Sequence, residues 1–330
     1  MKNVPFLSSR RLGLACVMAA VAAVLPLQAS AQAYPAKPVK VLVGFTAGGA
    51  VDLIARSVGQ AMQAGLGQPI VVENKPGAGT NIAMKALIDA PPDGYTLMLT
   101  ANSIAANPAL YKPAPFDPEK DVAPVALVGR VPVVIAANAA SPYTSVDQLI
   151  QAAKGKPNTI AYGSPGNGAT PHMAMEFFTR AAGVDLQHIP YKGGSQAITD
   201  AIGGQIPLVA VNALEVLPHV KSGKLRVIAV LSPNRSSIYP DVPTIAESGF
   251  PGFEASVWYG FIAPAATPKA VVERLHAEVE KALQNPEVRA RLANAGGEVL
   301  PGTTEQFAAL IRAERQRYEK LVREANIKPD

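Results

Sequence analysis

The chain has 330 residues, a formal net charge of +5 and one cysteine, Cys16. A chain of this length buries enough surface to fold without cross-links, and a lone cysteine excludes an internal disulfide framework or a multi-cysteine metal site. The mild charge argues against nucleic acid or an anionic membrane surface as a partner.

The first 31 residues have the order of a secretory signal peptide. Lys2, Arg10 and Arg11 form a basic start, an uncharged run of 16 residues occupies 12–27, and Ala29-Ser30-Ala31 supplies small residues for cleavage. That run is shorter than the roughly 20 residues that span a bilayer. We therefore predict cleavage after residue 31 and export to the periplasm, with the general secretion and twin-arginine routes both open. The processed chain then carries 27 basic and 25 acidic residues.

Short β-rich runs alternate with helical periodicity along the rest of the chain. A strand is predicted at Val39–Val43 and is followed by a helical pattern. Apolar residues recur there at three- and four-residue steps, at Leu53, Ile54, Val58 and Met62. The same alternation restarts at 160–162 and continues to 231. Strands that alternate with helices predict an α/β protein with mainly parallel sheets flanked by helices.

Two such blocks predict two α/β lobes with a ligand cleft between them. Extended apolar stretches at 125–136 and 256–262 are predicted to cross from one lobe to the other. The helices after the second stretch are too few to form a third domain, so we expect them to complete the first lobe. Lobe 1 is therefore predicted to comprise 34–132 plus 260–330, and lobe 2 to comprise 133–259.

Four glycine-rich loops each join a predicted strand to a helix, at 46–49, 76–80, 164–170 and 192–195. In open α/β sheets, ligands bind beyond the carboxyl ends of strands, where helix N-termini offer unpaired N–H groups to an anion. Tight turns and helix caps use the same residue types. Four such loops in one setting nevertheless favour an anion-binding cleft. Composition alone does not choose between a carboxylate and a phosphate.

Motifs of nucleotide-binding proteins and hydrolases fail at particular positions. Ile82 stands where the dinucleotide fingerprint needs a glycine, and no glycine loop ends in Gly-Lys-Ser/Thr. Tyr162 stands where the hydrolase elbow around Ser164 needs a glycine. The four histidines, at 172, 188, 219 and 276, have no metal-ligand spacing. The sequence therefore predicts binding without catalysis, cofactor or metal, with an exported hydrolase as the less favoured alternative.

Four further residues near the loops admit more than one role. His172 could reach the ligand or hold the loop before it, and the structural role is favoured. Trp258 and Tyr259 lie on the second crossing stretch and could form a cleft wall or core. Asp52 is predicted to be structural, because its carboxylate suits the first turn of a helix and would repel an anionic ligand.

In this order and spacing, the motifs resemble those of the tripartite tricarboxylate transporter receptors, also called Bug proteins. The resemblance covers nearly the whole chain after residue 31 and rests on these motifs: Gly44-Phe45-Thr46-Ala47-Gly48-Gly49, Val72-Glu73-Asn74-Lys75-Pro76-Gly77-Ala78-Gly79, Asp93-Gly94-Tyr95-Thr96-Leu97, Tyr162-Gly163-Ser164-Pro165-Gly166-Asn167-Gly168, Pro190-Tyr191-Lys192-Gly193-Gly194, Val242-Pro243-Thr244 and Trp258-Tyr259-Gly260. It implies a two-lobed periplasmic-binding-protein fold of type II-like architecture. It also implies a small carboxylate ligand, and membrane subunits of a tripartite transporter or a sensor as partner.

The resemblance places the ligand between the loop at 45–49 and the loop at 164–170. The predicted ligand contacts are Phe45, Thr46, Ala47, Gly48, Gly49, Ala78, Asn102, Ser164, Gly168, Ala169, Thr170 and Asn212. Pro207 and Val211 depart from the acidic or polar residues common in the family, which leaves Asn212 as the polar candidate on that strand. Citrate-like acids, dicarboxylates, acidic amino acids, nicotinate and aromatic diacids all fit, and a monomer is expected.

Overall fold

The computed structural model describes residues 34–294, 297–325 and 327. The predicted signal peptide and its cleavage site lie outside these residues. The described residues from Lys37 onward form one compact unit. Within the described ranges, no helix combines the length and the apolar character needed to cross a membrane.

Strands and helices alternate along the described chain, as the sequence pattern predicts. The strands are β1 (Val39–Val43), β2 (Ile70–Asn74), β3 (Thr96–Thr100), β4 (Val122–Asn138), β5 (Ala161–Ser164), β6 (Gln187–Pro190), β7 (Leu208–Asn212), β8 (Leu225–Val230), β9 (Ser256–Pro264) and β10 (Glu298–Val299). The helices are α1 (Ala50–Leu66), α2 (Asn81–Ile88), α3 (Ser103–Leu110), α4 (Val146–Ala153), α5 (Thr170–Ala182), α6 (Gly194–Ile202), α7 (Ala213–Lys221), α8 (Lys269–Gln284), α9 (Pro286–Asn294) and α10 (Thr304–Ala325).

The first sheet has the strand order β2-β1-β3-β9-β4-β10. Strands β1, β2 and β3 are parallel, and β9 is antiparallel to both β3 and β4. Leu42 and Met98 are buried against Phe307 and Ile311 of α10, so the last helix packs on this sheet. A strand covered in this way reads as a nearly continuous apolar run, which explains the sequence of β1.

The second sheet has the strand order β8-β4-β7-β5-β6. Strands β5, β6 and β7 are parallel, whereas β4 is antiparallel to both β7 and β8. Val134, Val211 and Val230 are fully buried together with Ala197 and Ile198 of α6. The predicted α/β class with helix-flanked sheets is thereby confirmed. Both sheets are mixed, because β4 and β9 add antiparallel pairings to the parallel strands.

Strand β4 takes part in both sheets. Its residues 122–132 pair with β9, and its residues 133–138 pair with β7 and β8. The chain returns beside this point, since Ser256 pairs with Pro132 and the N–H of Ala255 donates to the carbonyl of Leu231 at 2.8 Å. Both predicted extended stretches therefore pass through the junction of the two sheets. The exact lobe boundaries, 132/133 and 259/260, stay predictions.

Candidate functional site

Loops from both sheets meet beyond the carboxyl ends of parallel strands. Residues 44–49 follow β1 and residues 75–80 follow β2 in the first sheet. Residues 165–169 follow β5 and residues 191–193 follow β6 in the second sheet. We call the space enclosed by these four loops the cleft. It occupies the position that open α/β sheets use for ligands.

The cleft is bridged by direct contacts between a loop of each sheet. The N–H of Thr46 donates to the carbonyl of Lys192 at 3.2 Å, and the hydroxyls of Thr46 and Ser195 are 3.3 Å apart. Gly193 leaves room for this contact, because a Cβ there would collide with the Thr46 side chain. The two sheets are thus in a closed arrangement at this edge.

Asp52, in the first turn of α1, holds the loop at 44–49. Its carboxylate accepts hydrogen bonds from the Gly48 N–H, the Asn74 amide and the Arg56 guanidinium, each at 3.0 Å. The Asn74 amide also donates to the Phe45 carbonyl at 3.0 Å. Burial alone raises the pKa of Asp52, but the hydrogen bonds outweigh it and the net pKa is lowered. Asp52 is therefore an ionised structural anchor, and the Gly48 N–H is already engaged.

Ser164 and His188 hold the start of the loop at 165–169. The Ser164 Oγ lies 2.7 Å from Nε2 of His188 and accepts a hydrogen bond from the Gly166 N–H at 3.1 Å. Ser164 is fully buried and does not line either cavity of the cleft described below. The Ser164 hydroxyl therefore supports the loop in this structure, and its contact with a ligand stays a prediction.

His172 holds the end of the same loop. Its Nδ1 accepts a hydrogen bond from the Gly168 N–H at 3.2 Å, which fixes the neutral ring with its proton on Nε2. The ring stacks on His188 with centroids 4.0 Å apart. Burial lowers the pKa of His172 to about 4, and burial together with the His172 charge lowers the pKa of His188 to about 2. Both imidazoles are neutral at physiological pH, and the geometry agrees with the structural role favoured for His172.

Two adjoining spaces lie in the cleft, and Phe45 and Pro165 line both. The small cavity has a volume of about 20 Å³, enough for a water-sized group. Its wall is formed by Phe45, Gly49, Ala50, Val51, Ala101, Ser103, Pro165, Ala169, Thr170, Pro171, Gly194, Asn212, Glu215, Val257 and Tyr259. The large pocket has a volume of about 300 Å³, at the lower end of the range for ligand sites. Its wall includes Gly77, Ala78, Tyr111, Asn167 and Lys192.

The electrostatics of the small cavity are set by Glu215, the one charged residue of its described wall. Its carboxylate accepts a hydrogen bond from the Asn212 amide at 2.6 Å. Burial raises the pKa of Glu215, with partial opposition from the Asn212 amide and the Ala50 N–H. Burial, with the Glu215 charge as a second cause, also raises the pKa of Tyr259 far above its ordinary value. This wall thus places a carboxylate beside helix N-termini in a shielded site.

The structure brings half of the predicted contacts to the cavity walls. The predicted residues that line the small cavity or the large pocket are Phe45, Gly49, Ala78, Ala169, Thr170 and Asn212. Thr46, Gly48, Ser164 and Gly168 instead bond within or between the loops. Ala47 is exposed at the loop tip. Direct contact of these last residues with a ligand stays a prediction.

Asn102 lies behind the wall and holds other elements together. Its amide nitrogen donates to the Ser256 carbonyl at 3.3 Å and to the Glu314 carboxylate at 3.0 Å, and its oxygen accepts from the Trp258 N–H at 3.0 Å. Its neighbours at 101 and 103 line the small cavity in its place. The Trp258 ring packs edge-on against Phe307 at 5.5 Å, so Trp258 is core and Tyr259 is wall.

Glu215 and Ser103 are wall residues that a search for glycine-rich loops passes over. Glu215 lies in the first turn of a helix, as Asp52 does, but its helix follows the strand directly and without a glycine-rich loop. Ser103 begins a helix after β3, but the connection at 101–102 contains no glycine. Within the described ranges, no group of three or more potential ligating side chains is placed to hold a metal ion.

Comparison with known proteins identifies the family. A model of the tripartite tricarboxylate transporter family receptor matches residues 54–327. Protein BugT of Bordetella pertussis is 37% identical over 301 residues, covering 91% of this chain and 92% of that protein. The periplasmic binding protein BugD has a similar structure, with 34% identity, a TM-score of 0.86, and coverage of 90% of this chain and all of the other.

Two similar structures have a bound ligand. An R. palustris protein with adipate has 32% identity and a TM-score of 0.85, covering 90% of this chain and all of the other. MatC from Rhodopseudomonas palustris with bound malate has 31% identity and a TM-score of 0.84, covering 88% of this chain and all of the other. With the family model matching most of its length and these folds superposing on its own, this chain belongs to the tripartite tricarboxylate transporter receptors and is a Bug-type solute-binding protein with a periplasmic-binding-protein fold.

Proposed function

We propose that the protein captures a small carboxylate in the cleft and presents it to the membrane subunits of a tripartite transporter, without chemical turnover. The observation that carries this proposal is the convergence of loops from both sheets on one shielded space. Helix α1 begins at its wall from the first sheet, and helices α5 and α6 begin there from the second. Helix N-termini favour anions through their unpaired N–H groups and dipoles.

Closure of the cleft explains capture. A ligand that contacts loops of both sheets gains those contacts only when the loops are together, so binding shifts the population toward the closed form. The lobes that move in this proposal are 34–132 plus 260–330 and 133–259. The adipate- and malate-bound relatives support a carboxylate as the ligand class.

Family membership supports the proposed location and partners. The family implies a periplasmic location. Export through a signal peptide cleaved after Ala31, and action as a monomer, complete the proposal. A receptor that reports the ligand to a membrane signalling partner would use the same cleft, and the genes beside this one would discriminate between transport and sensing.

Thermal denaturation with a panel of acids tests the ligand class. The protein without residues 1–31 is refolded to remove any bound ligand and melted with di- and tricarboxylates, acidic amino acids and aromatic acids at about 1 mM. A ligand of micromolar affinity stabilises the fold by roughly 4 kcal/mol at that excess, which raises the melting temperature by several degrees. Phosphate and neutral sugars are the controls. A shift with these controls and with no acid would overturn the carboxylate proposal.

A threonine pair then places the ligand in the cleft. Thr170 begins α5 and lines the small cavity, and its hydroxyl has no hydrogen-bond partner among the described residues. Thr179 on the same helix instead donates to the Glu176 carbonyl. Thr170→Val is expected to weaken binding of the best acid about tenfold, because one buried hydrogen bond is lost. Thr179→Val is expected to leave affinity unchanged in calorimetry. Equal affinities for both variants would place the ligand elsewhere.

A further inference from the structure

Four oxygen atoms on the wall of the small cavity have no hydrogen-bond partner among the described residues. They are Oγ1 of Thr170, Oδ1 of Asn212, Oε2 of Glu215 and the hydroxyl of Tyr259. Thr170, Asn212 and Tyr259 are at most 4% exposed. Glu215 is partly buried, and its Oε2 is shielded from solvent. Buried polar atoms almost always have a partner, so four in one cavity indicate a group that bonds them.

The chemistry of these atoms defines that group. The Asn212 oxygen can only accept hydrogen bonds, and the two hydroxyls can accept as well as donate. A bound cation favours the ionised form of Glu215, in which both carboxylate oxygens only accept. A carboxylate has no donor and would repel Glu215. An ammonium group has three N–H donors, enough for three of these four oxygens, and its charge is opposite to that of an ionised Glu215.

The local backbone holds Glu215 in position for such a group. The Asn212 amide donates a hydrogen bond to Oε1 of Glu215 at 2.6 Å, which leaves Oε2 without a partner among the described residues. Gly194, the first residue of α6, has no Cβ, and a Cβ there would collide with this Oε2. The carboxylate is therefore seated against the start of α6, at the junction of the two sheets' loops.

We propose that Glu215, with Asn212 and Tyr259, binds the ammonium group of an amino-acid ligand whose carboxylate groups contact the glycine-rich loops. This inference rests on the proposed function, because it names the ligand class of the same cleft. Pro207, just before β7, and Val211, on β7, offer an amine no polar side chain. Glu215 supplies a polar side chain from the first turn of the next helix, three residues beyond the end of β7.

Calorimetry with matched acids tests this specificity. The pairs are aspartate with succinate and glutamate with glutarate, which differ only in the ammonium group, and malate adds a hydroxyl in its place. The wild-type protein is expected to bind one amino acid at least about tenfold more tightly than its amine-free partner. Glu215→Gln is expected to weaken binding of that amino acid by about thirtyfold or more, because one side of a buried charge pair is removed. Its affinity for the amine-free acid should stay the same or rise, because Glu215→Gln removes a charge that repels a carboxylate.

Controls separate the possible failures. Glu273→Gln removes an exposed carboxylate on α8 and should change neither affinity. Equal or tighter binding of the amine-free acids would overturn the ammonium site while leaving the carboxylate receptor intact. Tighter binding of those acids at low pH, abolished in Glu215→Gln, would also overturn it, since Glu215 would then act as a protonated donor. Binding of no acid by any variant would overturn the proposed function as well.

Discussion

The loop at 44–49 and the loop at 165–169 occupy equivalent places after the strands β1 and β5, yet they are held by different chemistry. An ionised carboxylate, Asp52, holds the first, and two neutral imidazoles, His172 and His188, hold the second. Arg56, the cation beside Asp52, is half exposed, whereas the His172 side chain is 4% exposed. Charge is costly to bury without solvent or a partner, so the more enclosed loop is held by neutral groups.

The largest effect expected from this contrast is sensitivity to acid through the buried imidazoles of His188 and His172, both of which have a lowered pKa. His172 is the one to replace, because its contact with Gly168 can be kept. Its pKa is about 4 in the folded protein and near 6.5 when unfolded, so the unfolded chain takes up a proton first as pH falls. Stability is thus unaffected above pH 6.5 and declines between pH 6.5 and 4, by about 3 kcal/mol from this residue. Urea unfolding across that range measures the decline. His172→Gln keeps an acceptor for the Gly168 N–H, and its free energy of unfolding should decline less over this pH range. A decline identical to that of the wild type would contradict the role given to His172.

Asp52→Asn is expected to have the next largest effect, and Asp52, like His172, has a folded pKa that is lowered. Loss of the charge weakens three hydrogen bonds to a buried carboxylate and should cost about 2 kcal/mol at neutral pH. Because the folded pKa is lowered, the carboxylate's contribution is full above the ordinary value of 3.8 and is lost as pH falls through the folded value. The difference between wild type and variant should therefore shrink in strong acid. Asp89→Asn, at an exposed ion pair, is the control and should change stability little. A difference in unfolding free energy between wild type and Asp52→Asn that stays constant with pH would contradict the role given to the ionised Asp52.

Arg56→Gln should have the smallest effect, below about 1 kcal/mol, because the guanidinium is half exposed and screened by solvent. Asp52 keeps its bonds from Gly48 and Asn74 in this variant. Unfolding at low and high salt measures the difference, which should narrow further as salt rises. A loss as large as that of Asp52→Asn would mean that the ion pair, rather than the hydrogen-bonded carboxylate, holds the loop.

The sequence predicts the alternation of strands and helices and the four loops, because both are local. Apolar periodicity marks the elements, and glycine marks the places where the backbone turns or is approached closely. Partners far apart in the chain are not local. Ser164 has the residue type of a ligand contact, but His188, on the neighbouring strand β6, occupies its hydroxyl. Asn102 is similarly occupied by residues more than 150 positions away. Sequence reasoning finds the loops that enclose the cleft, and the fold decides which of their side chains bond to one another.

Gly193 and Gly194 limit how this cleft can change during evolution. The first glycine admits the Thr46 side chain from the opposite loop, and the second admits the Glu215 carboxylate. A side chain at either position requires its neighbour to shrink or leave in the same step. Wall residues such as Thr170 can be exchanged one at a time, so new ligand preferences should arise there first. The glycine pair should change only together with residue 46 or 215, as coupled substitutions.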